Sequence, residues 1–301
     1  MRLKLGRPDI KRYADRFDLP TADSGLTVTF LGVATLLVDD GSHAVMTDGF
    51  FSRPGLLSVG LAKIAPDDER IDACLQRAGV TKLEAVMPVH THFDHGMDSA
   101  VVAERTGATL VGGRSSAMLS GSLPPDRVVV AESGSAMTYG PYEITMIASH
   151  HCPPDRYPGE ITEPVVPPVK ANAYKCGDAW SIFVRHEGGK SVLIQGSAGY
   201  VEGSLTGRQA DIAYLGVGQL GIQSDEYIET YWNETVRTIG ARRVVLIHWD
   251  DFFRPLDQPL RALPFAGDDL DNSMRVLTRL AERDGVPLHF PTVWQRENPW
   301  A

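Results

Sequence analysis

His90-Thr91-His92-Phe93-Asp94-His95 is the stretch that decides how this 301-residue sequence is read. It follows directly on Glu84-Ala85-Val86-Met87-Pro88-Val89, an apolar run short enough to predict a buried strand over 84–89. Side chains leaving the end of a strand can converge at one edge of its sheet. His90 and His92 are two apart, so in an extended segment both imidazoles point the same way and one cation can take both. Asp94 and His95 fall one turn further on, at the start of the next helix, where they can face a second cation. Imidazole and carboxylate are the donors a borderline ion such as Zn2+ prefers, so one or two Zn2+ ions are expected, with Mn2+ or Fe as alternatives. The plain alternative is an accidental gathering, which is rare with only nine histidines in the chain.

Outward from this motif the chain alternates in type. Upstream, residues 1–25 read as an irregular or helical lead-in. LTVTFLG (26–32), TLLVDD (35–40) and HAVMTD (43–48) read as three strands, the last two joined by the turn signal Asp39-Asp40-Gly41-Ser42. Residues 49–65 read as a loop, and 66–80 as a helix with acids in its first turn and Gly79 at its end. Downstream come a helix over 98–107, strands at TLVGG (109–113), RVVVAE (127–132) and YEITMIAS (142–149), and a Pro-rich loop over 152–175. A loop that long in a compact fold is functional or disordered. AWSIFVRH (179–186) and SVLIQG (191–196) form a hairpin through Glu187-Gly188-Gly189-Lys190. A strand at 210–218, a helix at 225–240, a strand at 242–248, a helix at 268–285 and a last strand at 287–294 complete the chain. Two sheets packed face to face with helices outside satisfy this order and share one core, so residues 1–301 are expected to form one α/β (α+β) domain.

Composition narrows the function. The net charge is −9 and no Lys/Arg run compensates, which disfavours nucleic acid as a partner. No apolar run is long enough for a transmembrane helix, and the charged N-terminus lacks a secretory pattern, so a cytoplasmic location is expected. Cys74, Cys152 and Cys176 form no CxxC pair and are expected to be free thiols. Association into an oligomer is left open.

Further ligands are sought at strand ends. His150 and His151 close YEITMIAS, and His248 closes RRVVLI; each could reach the edge that holds 90–95. His43, His186 and His289 lie in or beside hairpins or in the last strand and are taken as structural or surface residues. Gln195-Gly196-Ser197-Ala198-Gly199 nearly forms a nucleophile elbow, but Gln195 stands where that turn needs glycine, which argues against a serine hydrolase.

HTHFDH resembles the HxHxDH motif of the metallo-β-lactamase superfamily. LTVTFLGVATLLVDDGSHAVMTDGFF (26–51) resembles that family's first strands, which end in an aspartate, here Asp48. ADIAYLGVG (210–218) and IHWDDF (247–252) resemble segments of the branch that includes the L-ascorbate-6-phosphate lactonases and the N-acylphosphatidylethanolamine phospholipase D enzymes. The resemblance runs from Leu26 to Pro255 or thereabouts. It implies a four-layer αββα sandwich with metals at one edge of the paired sheets. It implies a first metal on His90, His92 and His151, a second on Asp94, His95 and His248, and Asp48 orienting a ligand imidazole from behind.

In one place the sequence departs from the family. An aspartate that bridges both metals is expected after the strand matching SVLIQG, and here Ser197 occupies that position. The second metal is therefore expected to bind weakly, unless another carboxylate, for which Asp250 is the candidate, replaces the bridge. The expected reaction is hydrolysis of a small-molecule ester, lactone or phosphodiester by a metal-activated water, with Asp94 able to take the proton as well as bind metal. The competing expectation is a metal-binding protein with little catalysis. If Phe50, Phe51, Arg53, Arg156, Tyr157, Lys170, Tyr200, Trp249 and Phe252 converge, the pocket is aromatic with one or two cations and suits a modest anion.

Overall fold

The structure is a computed structural model that describes residues 4–80 and 82–301; the first three residues of the expected lead-in lie outside it. The three upstream strands form as expected. β1 (Thr27–Phe30), β2 (Leu36–Asp39) and β3 (Ala44–Thr47) make an antiparallel meander. The β2–β3 turn closes on its own acids, because Asp40 Oδ1 accepts from the Ser42 and His43 amides at 2.7 and 2.8 Å.

From β3 the chain switches to parallel crossovers. A one-and-a-half-turn helix α1 (Leu56–Leu61) interrupts what the sequence suggests is loop, and α2 (Asp68–Ala78) follows. α2 is capped by Asp67, whose side chain accepts from the Arg70 amide, and stopped by Gly79 in the left-handed region. β4 (Leu83–Met87) lies parallel to β3 and runs into the single turn α3 (Phe93–Gly96). α4 (Ser99–Thr106), β5 (Thr109–Gly112), α5 (Arg114–Ala117) and β6 (Val128–Val130) complete this half.

The second half repeats the scheme in the other sheet. β7 (Ala136–Tyr139), which the sequence pattern does not reveal because it alternates only between exposed and half-buried residues, pairs with β8 (Tyr142–Ser149). β9 (Ala179–His186) and β10 (Ser191–Gln195) extend the antiparallel run. β11 (Ile212–Gly216) and β12 (Arg243–Ile247) are added in parallel, with α6 (Asp225–Trp232), continued by a π turn over Asn233–Arg237, crossing between them. α7 (Leu270–Asp284) then returns the chain to the far edge.

The expected last strand, 287–294, is corrected. Of that span only β13 (Leu288–His289) is strand, beside β12; a further short strand that the sequence reading does not include, β14 (Arg296–Glu297), follows it beside β1 in the other sheet. Pro291 lies between them and cannot donate to a ladder. Among the described residues each sheet thus has seven strands, ordered β14-β1-β2-β3-β4-β5-β6 and β13-β12-β11-β10-β9-β8-β7.

Period-two patterning decides which face each residue covers. In the first sheet, Leu36, Val38, Val45, Ala85 and Met87 face the core between the sheets, where Ile144, Ile182, Ile194 and Leu246 meet them. Leu37, Met46 and Val86 face outward and pack with Ile71 and Leu75 of α2 and Val102 of α4. In the second sheet β11 and β12 are likewise packed on both sides, against the intersheet core and against Trp232 of α6 and Leu277 of α7, and they read as apolar runs.

The Pro-rich loop 152–175 is ordered against the motif. Its Ile161, Ala171 and Tyr174 cluster with Phe50, Phe93 and Met97. Beside it the Thr91 amide donates to Cys176 O at 2.8 Å, and the loop's Val169 bridges to Ile64.

Candidate metal centre

β4 ends at Met87, and the three residues that follow carry His90 to the sheet edge. His90 and His92 meet with rings 4.8 Å apart, and Nε2 of His90 lies 3.1 Å from Nδ1 of His92. His151, two residues past β8, brings its ring within 4.9 Å of His90 and 4.7 Å of His92. Its Nδ1 donates to Cys152 O at 2.6 Å, which leaves the Nε2 lone pair for a ligand. His150 is exposed instead.

The second group forms on α3 and at the end of β12. His95 Nε2 and His248 Nε2 are 3.2 Å apart, and Asp94 Oδ2 is 3.6 Å from each. These separations test the fit of a metal. Two ligands bound to one tetrahedral ion at 2.0–2.1 Å stand about 3.3 Å from each other. The two trios, His90/His92/His151 and Asp94/His95/His248, each hold their ligand atoms within 4.8 Å. His90 Nδ1 and His248 Nδ1 are buried without a partner.

The electrostatics agree. Burial first, and then the neighbouring imidazoles, push His90 and His95 well below the usual histidine range. Burial and then His92 lower His151 to about 4, and burial lowers His248. Neutral imidazoles with free lone pairs are the state a cation requires.

The imidazoles are braced from behind. Asp48 Oδ2 accepts from His95 Nδ1 at 2.7 Å, and its Oδ1 accepts from the Val89 amide at 2.9 Å. Asp155, which the sequence reading does not single out, places Oδ1 3.0 Å from His92 Nε2, off the axis of a straight hydrogen bond. Asp155 is itself held by the Tyr157 amide. Cys176 lies in the same group, but burial raises its thiol far above the ordinary value, so it stands there neutral.

Strain and close approach mark the same edge. Asp48, His248 and the β-branched Val33 have φ of +54°, +56° and +54°. Such non-glycine residues cost on the order of 1–3 kcal/mol each and persist where surroundings over-determine them. The His248 amide is tied to Val33 O at 2.6 Å. Gly218 lies flat against the His248 ring, where a Cβ would come within 2.9 Å of Nδ1.

Two expectations about the carboxylates resolve differently. Ser197, after β10, lines the cleft beside His151 and His248, and its Oγ accepts from the Cys152 amide at 2.9 Å. Among the described residues no imidazole hydrogen-bonds that hydroxyl, so the elbow-like sequence has no base. Gln195 instead braces the turn through Ser149 Oγ, Ser197 O and Gly199 O. Asp250 is not turned to the metals. It is fully buried, with Oδ1 accepting from the Val33 amide at 2.8 Å and Oδ2 paired with Arg53. That ion pair and backbone contact occupy both oxygens, so Asp250 supports the loop under His248 rather than replacing the bridge.

The cleft over the trios has a volume of about 550 Å3. Arg156, Tyr157 and Phe252 line it as the sequence suggests, with Phe93, Phe253, Leu56 and Val59 adding apolar surface. The other expected pocket residues go elsewhere. Phe50, Phe51 and Trp249 are core, Arg53 is paired with Asp250, Lys170 reaches Leu61 O, and Tyr200 packs at a tilt against Tyr227. His43, His186 and His289 sit against Glu84, Asp40 and Asp18, outside the centre.

No family model matches the chain. A UPF0173 metal-dependent hydrolase of Anaeromyxobacter sp. (strain K) is 29% identical over 139 residues, which are 44% of this chain and 45% of that relative. The match thus spans less than half the length of that curated relative. Among solved structures, a protein of Parabacteroides distasonis described as a metal-dependent hydrolase superposes with a TM-score of 0.54 at 14% identity, over 92% of this chain and 99% of that one. CmlA, a diiron β-hydroxylase from Streptomyces venezuelae, superposes with a TM-score of 0.53 at 11% identity, over 92% of this chain and 54% of that one.

Proposed function

From the metallo-β-lactamase fold that this chain has, we propose that it is a metal-dependent hydrolase acting on a small ester, lactone or phosphodiester. The observation that carries this reading is the pairing of two ligand trios at one sheet edge, under an open cleft. A cation bound there polarises a carbonyl or phosphoryl oxygen and lowers the pKa of water toward neutrality. His90, His92 and His151 would hold the first ion, through Nε2, Nδ1 and Nε2. Asp94, His95 and His248 would hold the second. Asp94 is the one anionic ligand of the six and the group placed to take a proton from the attacking water. Asp48 holds His95 in one tautomer, and Phe93, Phe252 and Phe253 keep water from one side of the cleft.

Zn2+ suits these donors best, with Mn2+ or iron as alternatives. The likeness to a diiron protein supports keeping iron among them. The lactonase-like branch rests on residues 210–218 and 247–252, whose β11 and β12 end at the centre. The core shared by both sheets supports reading residues 1–301 as one domain. Among the described residues no helix is long and apolar enough to cross a membrane. Three buried free thiols support a reducing compartment such as the cytoplasm.

Ser197 favours a second reading, a metal-binding protein with little catalysis. Its hydroxyl contributes no charge where a shared carboxylate would offset two dications. Metal content measured together with turnover on a panel of esters, lactones and phosphodiesters separates the two readings. Two metals and chelator-sensitive turnover support the hydrolase; one tight metal and no turnover support the alternative.

A further inference from the structure

The far wall of the cleft is cationic by construction. Asp251, three residues past His248, is almost fully buried and lies between two arginines. Its Oδ2 accepts from Arg7 Nη1 at 3.1 Å and from Arg261 Nε at 3.0 Å, with Arg261 Nη2 at 2.9 Å. Arg7 Nη1 also donates to Ala262 O at 2.6 Å. The segment is clamped, because the Asp251 amide donates to Arg261 O and Asp250 bridges to Ala262. One carboxylate against two guanidiniums leaves a net charge of +1. The donors not used on Asp251 or Ala262, namely Arg7 Nε and Nη2 and Arg261 Nη1, have no partner among the described residues, while both side chains are 30% and 43% exposed and line the cleft.

The geometry points to a second, anion-binding subsite formed by Arg7 and Arg261, so that the substrate carries a carboxylate or phosphate separated from its scissile bond by a short apolar spacer. This rests on the metal-centre reading above. The spacing follows from the chain itself. Asp251 follows His248 by three residues, so their Cα atoms stand at most about 10 Å apart, and both line the same cleft. The same cleft is lined by Phe252, whose ring is 5.8 Å from that of His248, and by Phe253, tilted against Phe252 at 4.4 Å. A molecule with its reacting group at the metals therefore lays its spacer on aromatic rings and its far oxyanion on two pinned guanidiniums. Arginine forks are suited to that oxyanion, and their pinning by Asp251 removes part of the ordering cost of binding.

The test uses the zinc-loaded protein, calorimetry, and two matched probes, octanoate and octanedioate. Both present one carboxylate to the metals, and only the diacid can reach the arginines. Octanedioate is expected to bind about tenfold more tightly, as one charge-assisted hydrogen-bonded pair contributes. That advantage should shrink as salt rises. Arg7→Gln and Arg261→Gln should each bring the two affinities together, and Arg261→Lys, which keeps the charge, should preserve part of the difference. Zinc content and circular dichroism of each variant identify any that has lost its structure, and Arg261→Lys then decides. A protein that holds no zinc fails the metal-centre reading. A zinc-loaded protein that binds both acids equally, or binds neither, overturns the subsite alone.

Discussion

His92 and His95 each face the centre with one nitrogen and a carboxylate with the other: Asp155 behind His92 and Asp48 behind His95. Such outer partners fix ring orientation and raise ligand basicity, and their loss commonly costs 10–100-fold in metal affinity. Asp155→Ala is expected to weaken the first metal by about tenfold or more and leave the second nearly unchanged, as read by titrating the metal-free protein. Equal weakening of both ions would argue that Asp155 merely supports the loop. At the neighbouring position, His151→Ala should lower metal content and the exposed His150→Ala should not; elemental analysis of the two variants decides. Ser197 sets the charge balance. Without a bridging carboxylate, the six ligands supply one negative charge from Asp94, so Ser197→Asp is expected to tighten the second metal by about tenfold or more. Two ions held equally tightly by the wild-type chain would contradict that argument.

Among the elements, β14 shows how a short strand can store a proton. Glu297 pairs across from Val28, accepts from the Thr292 amide at 2.8 Å, and leaves Oε2 buried without a partner. Burial raises its carboxyl to about 7. The unfolded chain has a glutamate near 4.3, so between roughly pH 4 and 7 the folded protein holds a proton that the unfolded chain has released. The contribution is fully present below about pH 4 and is lost as pH rises through about 7, with a slope of up to about 1.4 kcal/mol per pH unit. Glu297→Gln, neutral at every pH, should flatten that slope in urea unfolding between pH 5 and 7. An unchanged slope would show that Glu297 is ionised in the fold. Strand length matters here as well: β13 and β14 are two residues each, and Pro291 between them lets one segment close the edges of two different sheets.

At the level of the whole molecule, the two candidate ligand trios span both sheets. Four of their residues, His90, His92, Asp94 and His95, follow β4 of the first sheet, whereas His151 follows β8 and His248 follows β12 of the second. The apolar core between the sheets forms without these side chains. Metal removal by a chelator is therefore expected to leave the far-ultraviolet circular dichroism unchanged while lowering the melting temperature. At a metal concentration a thousand times Kd, loading stabilises by about 4 kcal/mol, or on the order of 5–10 °C for a chain of this size. Unfolding on chelation would mean that the ions, not the core, hold the sheets together.

What was legible in the sequence is what is encoded locally. HTHFDH lies within six consecutive residues on a strand end and a helical turn, so its spacing alone brings His90, His92, Asp94 and His95 to one edge. Capped helices such as α2 and α7, and strands with unbroken apolar runs such as β12, carry their signals within one or two turns or a few alternations. β7 carries too weak an alternation, and the final strand stops at His289, two residues before Pro291, with β14 beyond the expected span. His151 and His248 were placed through strand ends and family resemblance, because nothing in their immediate neighbours points to a metal. Asp155, Arg7 and Arg261 carry no such sign, and Asp250, offered only as a candidate for the bridge, pairs with Arg53 and the Val33 amide. Arg7 meets Asp251 across 244 residues, and Arg53 meets Asp250 across 197. Only the packing of two sheets brings those loops together, because a loop side chain pairs with whichever charge the fold sets beside it, and no periodicity in the sequence records which charge that is.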